Sequence, residues 1–192
     1  MTQLPSFNHT VFDAFPVLET PRLHLRNIEL SDAHKIFEQR SSERVGQFIA
    51  RPLMQTHESA VELVEKTQLG FQNKQVIGWA GELKSNGNFI GTCGYNTIDF
   101  QNLRAEIGGE MTIDAWGKGF AKEAVQAILQ FGFNTMNLMS VEAKVHAQNR
   151  SAIFVLEQMG FEKEAHFKNR FYFQDTWHDL AVYTLFSSRF EC

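Results

Sequence analysis

Residues 106–124 read Glu-Ile-Gly-Gly-Glu-Met-Thr-Ile-Asp-Ala-Trp-Gly-Lys-Gly-Phe-Ala-Lys-Glu-Ala, and they join a predicted strand to a predicted helix. Gly117 and Gly119 lie in the connecting loop. Successive backbone N–H groups in such a turn point into one concavity. The helix start adds unpaired N–H donors and a partial positive charge. Because a Cβ at either glycine would keep phosphate oxygens away from the backbone, the stretch predicts an anion site suited to a pyrophosphate.

Spacing separates this loop from two other nucleotide sites. A Gly-x-Gly pair alone is also typical of a plain strand-to-helix turn. A Walker loop requires G-x-x-x-x-G-K-[ST], which this sequence lacks. A dinucleotide fingerprint requires a third glycine at position 122, where the chain has Lys122. Neither of these two sites is predicted.

The rest of the chain alternates strand-like and helix-like patterns. Ser31 and Thr56 are predicted to cap the first two helices, and Gly160 is predicted to end the last one. Residues 85–87, Ser-Asn-Gly, predict the tight turn of a hairpin. The predicted strands are 22–26, 75–83, 88–98, 105–113, 139–145 and two within 161–186. This order predicts an α/β (mixed α+β) fold, in which helices cover the faces of a mixed sheet.

Length and charge limit the class of protein. A chain of 192 residues predicts one domain, here residues 18–187. Residues 1–17 are interpreted as a loosely attached N-terminal arm and residues 188–192 as a C-terminal tail. The net charge of −4 shows no basic footprint, so direct binding to nucleic acid is not expected.

The two cysteines, Cys93 and Cys192, are too few and too far apart for a disulfide framework, which favours a reducing compartment. No apolar run approaches the roughly 20 residues of a membrane span. The first 16 residues lack the basic and apolar regions of a secretory signal. A cytoplasmic protein without a membrane partner is predicted.

Four ordered segments resemble the GNAT superfamily of N-acetyltransferases. Residues 114–119 resemble its motif A loop, Q/R-x-x-G-x-G/A, although Asp114 replaces the first residue. Trp-Gly-Lys-Gly at 116–119 is close to the W-G-K-G of the RimJ/RimL-type branch. Residues 18–26 resemble the opening L-x-T-x-R-L-x-L-R of that branch, and residues 149–161 resemble the family's N-x-x-[SA]-x-x-x-x-E-K-x-G-F. With 177–183, similar to the closing strand, the match spans about residues 18–187.

The resemblance implies an acyl-CoA N-acyltransferase fold, with a mostly antiparallel mixed sheet and a splayed central strand pair. It implies acetyl-CoA as co-substrate and no metal. Free backbone groups of the splayed strand would hold the pantetheine arm, and Asn149 would hydrogen-bond that arm. The residues implied for the pantetheine are Met111, Thr112 and Ile113. The residues implied to face the phosphates are Trp116, Gly117, Lys118, Gly119, Phe120, Ala121 and Lys122.

Glu106 and Glu110 are the candidate general bases. In a regular strand their side chains share a face. Both are also interpretable as solvated strand carboxylates. His146 and His178 are further candidates, for which a purely structural role is the common case.

Two residue types that serve as catalytic groups in other family members are replaced in this chain. Leu156 stands where many members have a tyrosine acid. Ala152 stands where others have a serine.

The acceptor class is predicted from amine chemistry. At neutral pH roughly a tenth of α-amino groups are uncharged, against less than about one in a thousand lysine side chains. A site without a strong acid–base pair therefore suits the α-amine of a protein N-terminus. The resemblance to the RimJ/RimL-type branch implies the same acceptor class. A small-molecule amine stays open as the acceptor, and so do a non-catalytic acyl-CoA-binding module and an interaction protein. Residues 40–56 and 166–177 are the predicted acceptor cleft, and the protein is expected to be a monomer or homodimer.

Overall fold

The computed structural model describes residues 6–190, which contain eight strands and five α-helices. The strands are β1 (Leu18–Glu19), β2 (Leu23–Asn27), β3 (Ile77–Leu83), β4 (Phe89–Asp99), β5 (Arg104–Met111), β6 (Ser140–His146), β7 (Glu162–Phe173) and β8 (Thr176–Phe186). The helices are α1 (Ala33–Arg40), α2 (Glu43–Gly46), α3 (His57–Gln72), α4 (Phe120–Asn134) and α5 (Arg150–Gln158). Within this part of the chain, no helix is long and apolar enough to cross a membrane.

The strands form one sheet in the order β1-β2-β3-β4-β5-β6-β8-β7. Every neighbouring pair is antiparallel except β5 and β6, which are parallel. These two strands pair only through residues 104–106 and 140–142. Beyond Glu106 they continue to Met111 and His146 without pairing to each other. The mixed, mostly antiparallel sheet with a splayed central pair is therefore confirmed.

Helices cover both faces of the sheet. Trp79 of β3 is fully buried in the cluster that contains Ile128 and Leu129 of α4. The next residue, Ala80, lies in a second cluster with Ile36 of α1. Because successive side chains of a strand point to opposite faces, α4 and α1 lie on opposite sides of the sheet.

Local signals at element ends are mostly confirmed. The Thr56 hydroxyl accepts a hydrogen bond from the Ser59 N–H at 3.3 Å and caps α3. Gly160 follows α5 with φ +84°, and Gly87 takes φ +70° in the turn between β3 and β4. The capping role predicted for Ser31 is wrong.

Asp32, rather than Ser31, is the residue immediately before α1. Its carboxylate accepts from the Glu29 N–H at 2.8 Å and pairs with Arg26 at 2.7 Å. These bonds hold a 3₁₀ turn over Leu30–Asp32 that contains Ser31.

The N-terminal segment packs into the main core, so its description as loosely attached is wrong for residues 6–17. Phe7, Val11 and Phe12 are buried there. The Asn8 side chain donates to the Thr135 carbonyl at 2.9 Å. Residues 1–5 of the predicted arm lie outside the described residues. The pattern was missed because its apolar residues follow neither a helical nor a strand period.

We expect Phe12→Ala to lower the free energy of unfolding by about 3 kcal/mol, because a buried phenyl ring leaves a cavity. Phe154→Ala is the matched control. The Phe154 side chain is 62% exposed on α5, so its loss should change stability by less than about 0.5 kcal/mol. Urea denaturation of both variants measures the difference, and equal effects would restore the loosely attached arm.

Candidate active site

The loop between β5 and α4 presents a row of unpaired amides. Gly117 and Gly119 take φ +70° and +78°, and Gly119 precedes α4 without a side-chain cap. Among the described residues, none accepts a hydrogen bond from the backbone N–H groups of 117–122. A Cβ added at Gly117 would meet nothing within 4 Å, so the space in front of the loop is open. Free N–H groups at a helix start are the donors that bind phosphates.

Within residues 6–190, no strand pairs with residues 107–111 of β5 on the side that faces the splay. The Thr112 N–H donates to the Ile90 carbonyl at 2.8 Å, which makes Gly91 and Met111 a pair without mutual hydrogen bonds. The backbone groups of Met111 therefore point away from β4 and into the gap. By the alternation of the ladder, those of Ile107 and Gly109 do the same. The sequence interpretation missed Ile107 and Gly109, whose side chains carry no signal of a backbone role.

One residue predicted for the pantetheine, Thr112, has both of its backbone groups hydrogen-bonded within the protein. The Thr112 N–H is used by Ile90, and the Thr112 carbonyl accepts from the Ala115 N–H at 3.0 Å. Thr112 is thus turned towards β4, because alternate residues of a strand direct their backbone groups to opposite neighbours. The Ile113 N–H has no acceptor among the described residues. Met111 has a free edge, although its carbonyl already accepts from the Trp116 indole at 2.9 Å.

Asn149 lies at the start of α5, directly after β6. Its side-chain oxygen accepts from the Ala152 N–H at 3.1 Å, which caps the helix. The side-chain NH₂ group has no acceptor within residues 6–190 and stays available to a ligand.

The two candidate bases leave the sheet on the face opposite α4, since Ala105 and Ile107 belong to the core under that helix. Glu106 pairs with Lys144 of β6 at 2.6 Å. Glu110 is held by two arginines, Arg40 at 2.7 Å and Arg51 at 2.6 Å. The shared face is as predicted, whereas the catalytic roles stay predictions.

A segment of residues 41–56, here termed the bridging segment, crosses the gap on the same face. Its Arg44 guanidinium lies 5.3 Å from the Trp116 ring, and its Phe48 ring lies 5.3 Å from His146 of β6. Arg51 reaches Glu110 of β5. The bridging segment thus contacts both splayed strands and the glycine loop. It occupies most of the first of the two ranges predicted for the acceptor cleft, residues 40–56.

His146 and His178 form one hydrogen-bonded chain. The His178 Nε2 lies 2.9 Å from the Phe173 carbonyl, so it carries a proton, and its Nδ1 faces the His146 Nε2 at 2.9 Å. The His146 Nδ1 accepts from the Gln148 N–H at 3.1 Å. When both rings are neutral, each of the four ring nitrogens has one hydrogen-bond partner, and the donors all point the same way along the chain. Neither ring has a lone pair left for a substrate proton, so the pair ties β7–β8 to β6.

Acid should weaken this arrangement. Burial lowers the pKa of His146, and His178 adds to the effect while Asp179 opposes it. A histidine held neutral in the folded protein takes up a proton on unfolding. We therefore expect constant stability above about pH 7 and a loss below about pH 6.5, of at most about 1.4 kcal/mol per pH unit. Urea denaturation at several pH values should show a shallower slope for His146→Gln, and identical slopes would contradict this.

Neither Tyr95 nor Tyr183 is placed to replace the catalytic tyrosine that this chain lacks at position 156. The Tyr95 hydroxyl donates to the Ile128 carbonyl at 2.8 Å, and the Tyr183 hydroxyl donates to Glu157 at 3.3 Å. Leu156 is buried in the core. Among residues 6–190, no group of three or more His, Cys, Asp or Glu residues is arranged to hold a metal ion.

Comparison with known proteins agrees with this geometry. A family model described as an acetyltransferase (GNAT) domain matches residues 22–162. The chain belongs to the GNAT acetyltransferase family. An uncharacterized N-acetyltransferase of Bacillus subtilis (strain 168), YoaA, is 33% identical over 175 residues, which cover 91% of this chain and 99% of YoaA. This GNAT chain is an N-acetyltransferase that depends on acetyl-CoA.

Solved structures show the same fold. A GNAT-family acetyltransferase from Bacillus anthracis has a TM-score of 0.80 at 25% identity, covering 91% of this chain and 100% of that one. RimL, described as a ribosomal L7/L12 alpha-N-protein acetyltransferase in complex with coenzyme A, has a TM-score of 0.82. It is 18% identical and covers 89% of this chain and 98% of its own. The likeness to RimL is one of fold.

Proposed function

We propose that this GNAT enzyme transfers acetyl from acetyl-CoA to the α-amino group of a protein N-terminus, by direct attack within a ternary complex. The observation that carries the proposal is the free edge of β5, which leads directly into the six unpaired amides of 117–122. A long cofactor with an amide-containing arm and a diphosphate matches this succession of donors and acceptors. Two widely spaced cysteines agree with a cytoplasmic location, which is part of the proposal.

The cofactor would lie along the gap between β5 and β6. The amides of the glycine loop would bind the diphosphate, helped by the positive end of α4. Backbone groups of Met111 and Ile113 would bind the pantetheine arm, with the Asn149 NH₂ group donating from the opposite side. The Gly109 N–H, also on the free edge, would then lie near the thioester and polarise its carbonyl.

The acceptor would enter from the face that carries Glu106, Glu110 and the bridging segment. Glu110 is held by two arginines and is therefore assigned to fixing the bridging segment. Glu106 is assigned as the base that receives the amine proton, after separating from Lys144. Holding both substrates in one gap supplies much of the rate, which lessens the need for a strong acid.

Amine chemistry favours an N-terminus as the acceptor. A free α-amine has a pKa near 7.7–8.0, so a usable fraction is uncharged at neutral pH, whereas a lysine amine near 10.4 would need a stronger base. RimL, which shares the fold, acts on a ribosomal protein α-amine according to its description. That activity is RimL's own, and it supports the class proposed here for this chain.

Mass spectrometry tests the proposal directly. The protein is incubated with acetyl-CoA and a panel of possible acceptors, and the mass of each product is measured. The panel contains peptides with a free N-terminus, lysine peptides whose N-terminus is blocked, and small amines. Acetylation of free α-amines ahead of the other two groups is the expected result. Preferred acetylation of small amines would replace the acceptor class. CoA binding without transfer to any amine would indicate a non-catalytic acyl-CoA-binding module.

A further inference from the structure

A carboxylate lies beside the proposed phosphate site, where its charge would oppose the binding of another anion. Glu123 belongs to the first turn of α4, directly after the free amides of 117–122. A negative charge at a helix N-terminus competes with any other anion that binds there. Since the side chain of Glu123 is only 15% exposed, water screens this charge poorly.

Two residues more than 100 positions earlier in the chain, Arg22 and Thr20, surround that carboxylate. The Arg22 Nε donates to one oxygen of Glu123 at 2.6 Å, and the Arg22 backbone N–H donates to the other at 2.8 Å. The Thr20 hydroxyl donates at 2.6 Å. Burial pushes the pKa of Glu123 upward, but these hydrogen bonds outweigh it and leave the pKa of that carboxyl below its ordinary value.

Arg22 also contacts the glycine loop itself. Its Nη1 donates to the Lys118 carbonyl at 3.0 Å, and its guanidinium lies 4.6 Å from the Phe120 ring centre. A Cβ placed on Gly119 would come within 3.4 Å of the Arg22 Nη2. The arginine therefore joins the loop, the first turn of α4 and the start of β2.

We propose that Arg22 is a positioning residue for the cofactor, which neutralises Glu123 and so lets the start of α4 accept the diphosphate. This rests on the proposed role of the glycine loop. The carboxylate, turned towards Arg22 and Thr20, anchors α4 to the strand before it while its charge is cancelled. Without Arg22, the same carboxylate would repel the diphosphate at close range.

A double-variant cycle tests the proposal by calorimetric binding of CoA. We expect Arg22→Met to weaken the dissociation constant about tenfold, the size of one charge interaction at a partly buried helix start. Glu123→Gln alone should stay within about threefold of the unmodified protein, because no repelling charge remains. The double variant Arg22→Met/Glu123→Gln should also return to within about threefold.

The double variant separates charge cancellation from other roles. It lacks the Lys118 contact and the ion pair alike, so a merely structural Arg22 predicts binding at least as weak as in Arg22→Met. Direct contact of Arg22 with phosphate predicts the same absence of recovery, and either result would overturn the proposal. Arg189→Met, which breaks an exposed arginine–glutamate pair with Glu162, is the matched control and should leave CoA binding unchanged.

A further variant distinguishes failure of the glycine loop as phosphate site from failure of the role proposed for Arg22. If Gly117→Val binds CoA as well as the unmodified protein, the glycine loop does not hold the diphosphate and the proposed site is wrong. If Gly117→Val loses binding while Arg22→Met does not, the site stands and the role of Arg22 is wrong. Thermal unfolding of each variant without ligand shows that the proteins compared are folded.

Discussion

Gly117→Val is expected to weaken acetyl-CoA binding by at least about 100-fold, which corresponds to the loss of about two charge-assisted hydrogen bonds. The valine side chain would fill the open space in front of the free amides of 117–122, where the diphosphate is proposed to bind. Calorimetry measures the change in dissociation constant. Because acetyl transfer needs the cofactor, turnover at low acetyl-CoA should fall in parallel.

Gly87→Val provides a matched control for the backbone. Gly87 has the same φ of +70°, and a Cβ added there also meets nothing within 4 Å. Both variants should therefore lose a similar stability, about 1–2 kcal/mol, because a side chain is strained in the left-handed region. Only Gly117→Val should lose the cofactor. Equal loss of binding in both would assign the effect to strain and contradict the loop as phosphate site.

Glu106→Gln is expected to lower kcat about 100-fold with little change in the KM for acetyl-CoA, the usual size of a lost general base. The residue lies at the last paired position before the splay, on the face from which the acceptor is proposed to enter. The kcat with amines of high pKa should fall more than the kcat with α-amines, since amines of high pKa depend more on proton removal. Initial rates over a range of pH, with one peptide and one lysine-like amine, measure this.

Glu142→Gln is the control for the lost ion pair. Glu142 also pairs with Lys144, at 3.3 Å, and its side chain is 23% exposed against 22% for Glu106. Loss of an ion pair alone should therefore affect both variants alike. We expect kcat of Glu142→Gln to stay within about threefold of the unmodified enzyme, as for a carboxylate that takes no proton in the reaction. Equal losses in the two variants would make Lys144, rather than Glu106, the group that matters.

The elements predicted from sequence are those with local signals. The strand-to-helix stretch, the hairpin turn at Gly87 and the cap at Thr56 depend on neighbouring residues, so one segment specifies each of them. Ser31 failed because Arg26 and Glu29 hold Asp32, and a three-residue turn replaced the cap. The N-terminal segment failed because its burial depends on Phe71 of α3, Trp79 of β3 and Phe100, which are distant in sequence.

The site shows the same division. The glycines of the loop were recognisable, because only certain residues allow φ near +70°. The direction of the Thr112 backbone groups was not predictable, since it depends on register with β4, which a single strand does not reveal. The clamp of Arg22 on Glu123 and the position of the bridging segment join residues roughly 60 to 100 positions apart. No periodicity along the chain carries such pairings.

Because β5 and β6 pair over only three residues, the sheet consists of two parts, here termed plates, that meet at this short contact. One plate is β1 to β5 and the other is β6, β8 and β7, each held by its own ladders of hydrogen bonds. Within residues 6–190, three residue pairs join their backbones directly, and α4, the bridging segment and the Glu106–Lys144 ion pair also connect them. A molecule bound in the gap would contact both plates and act as a spacer between them. Ligand should stiffen the relation between the plates more than either plate itself.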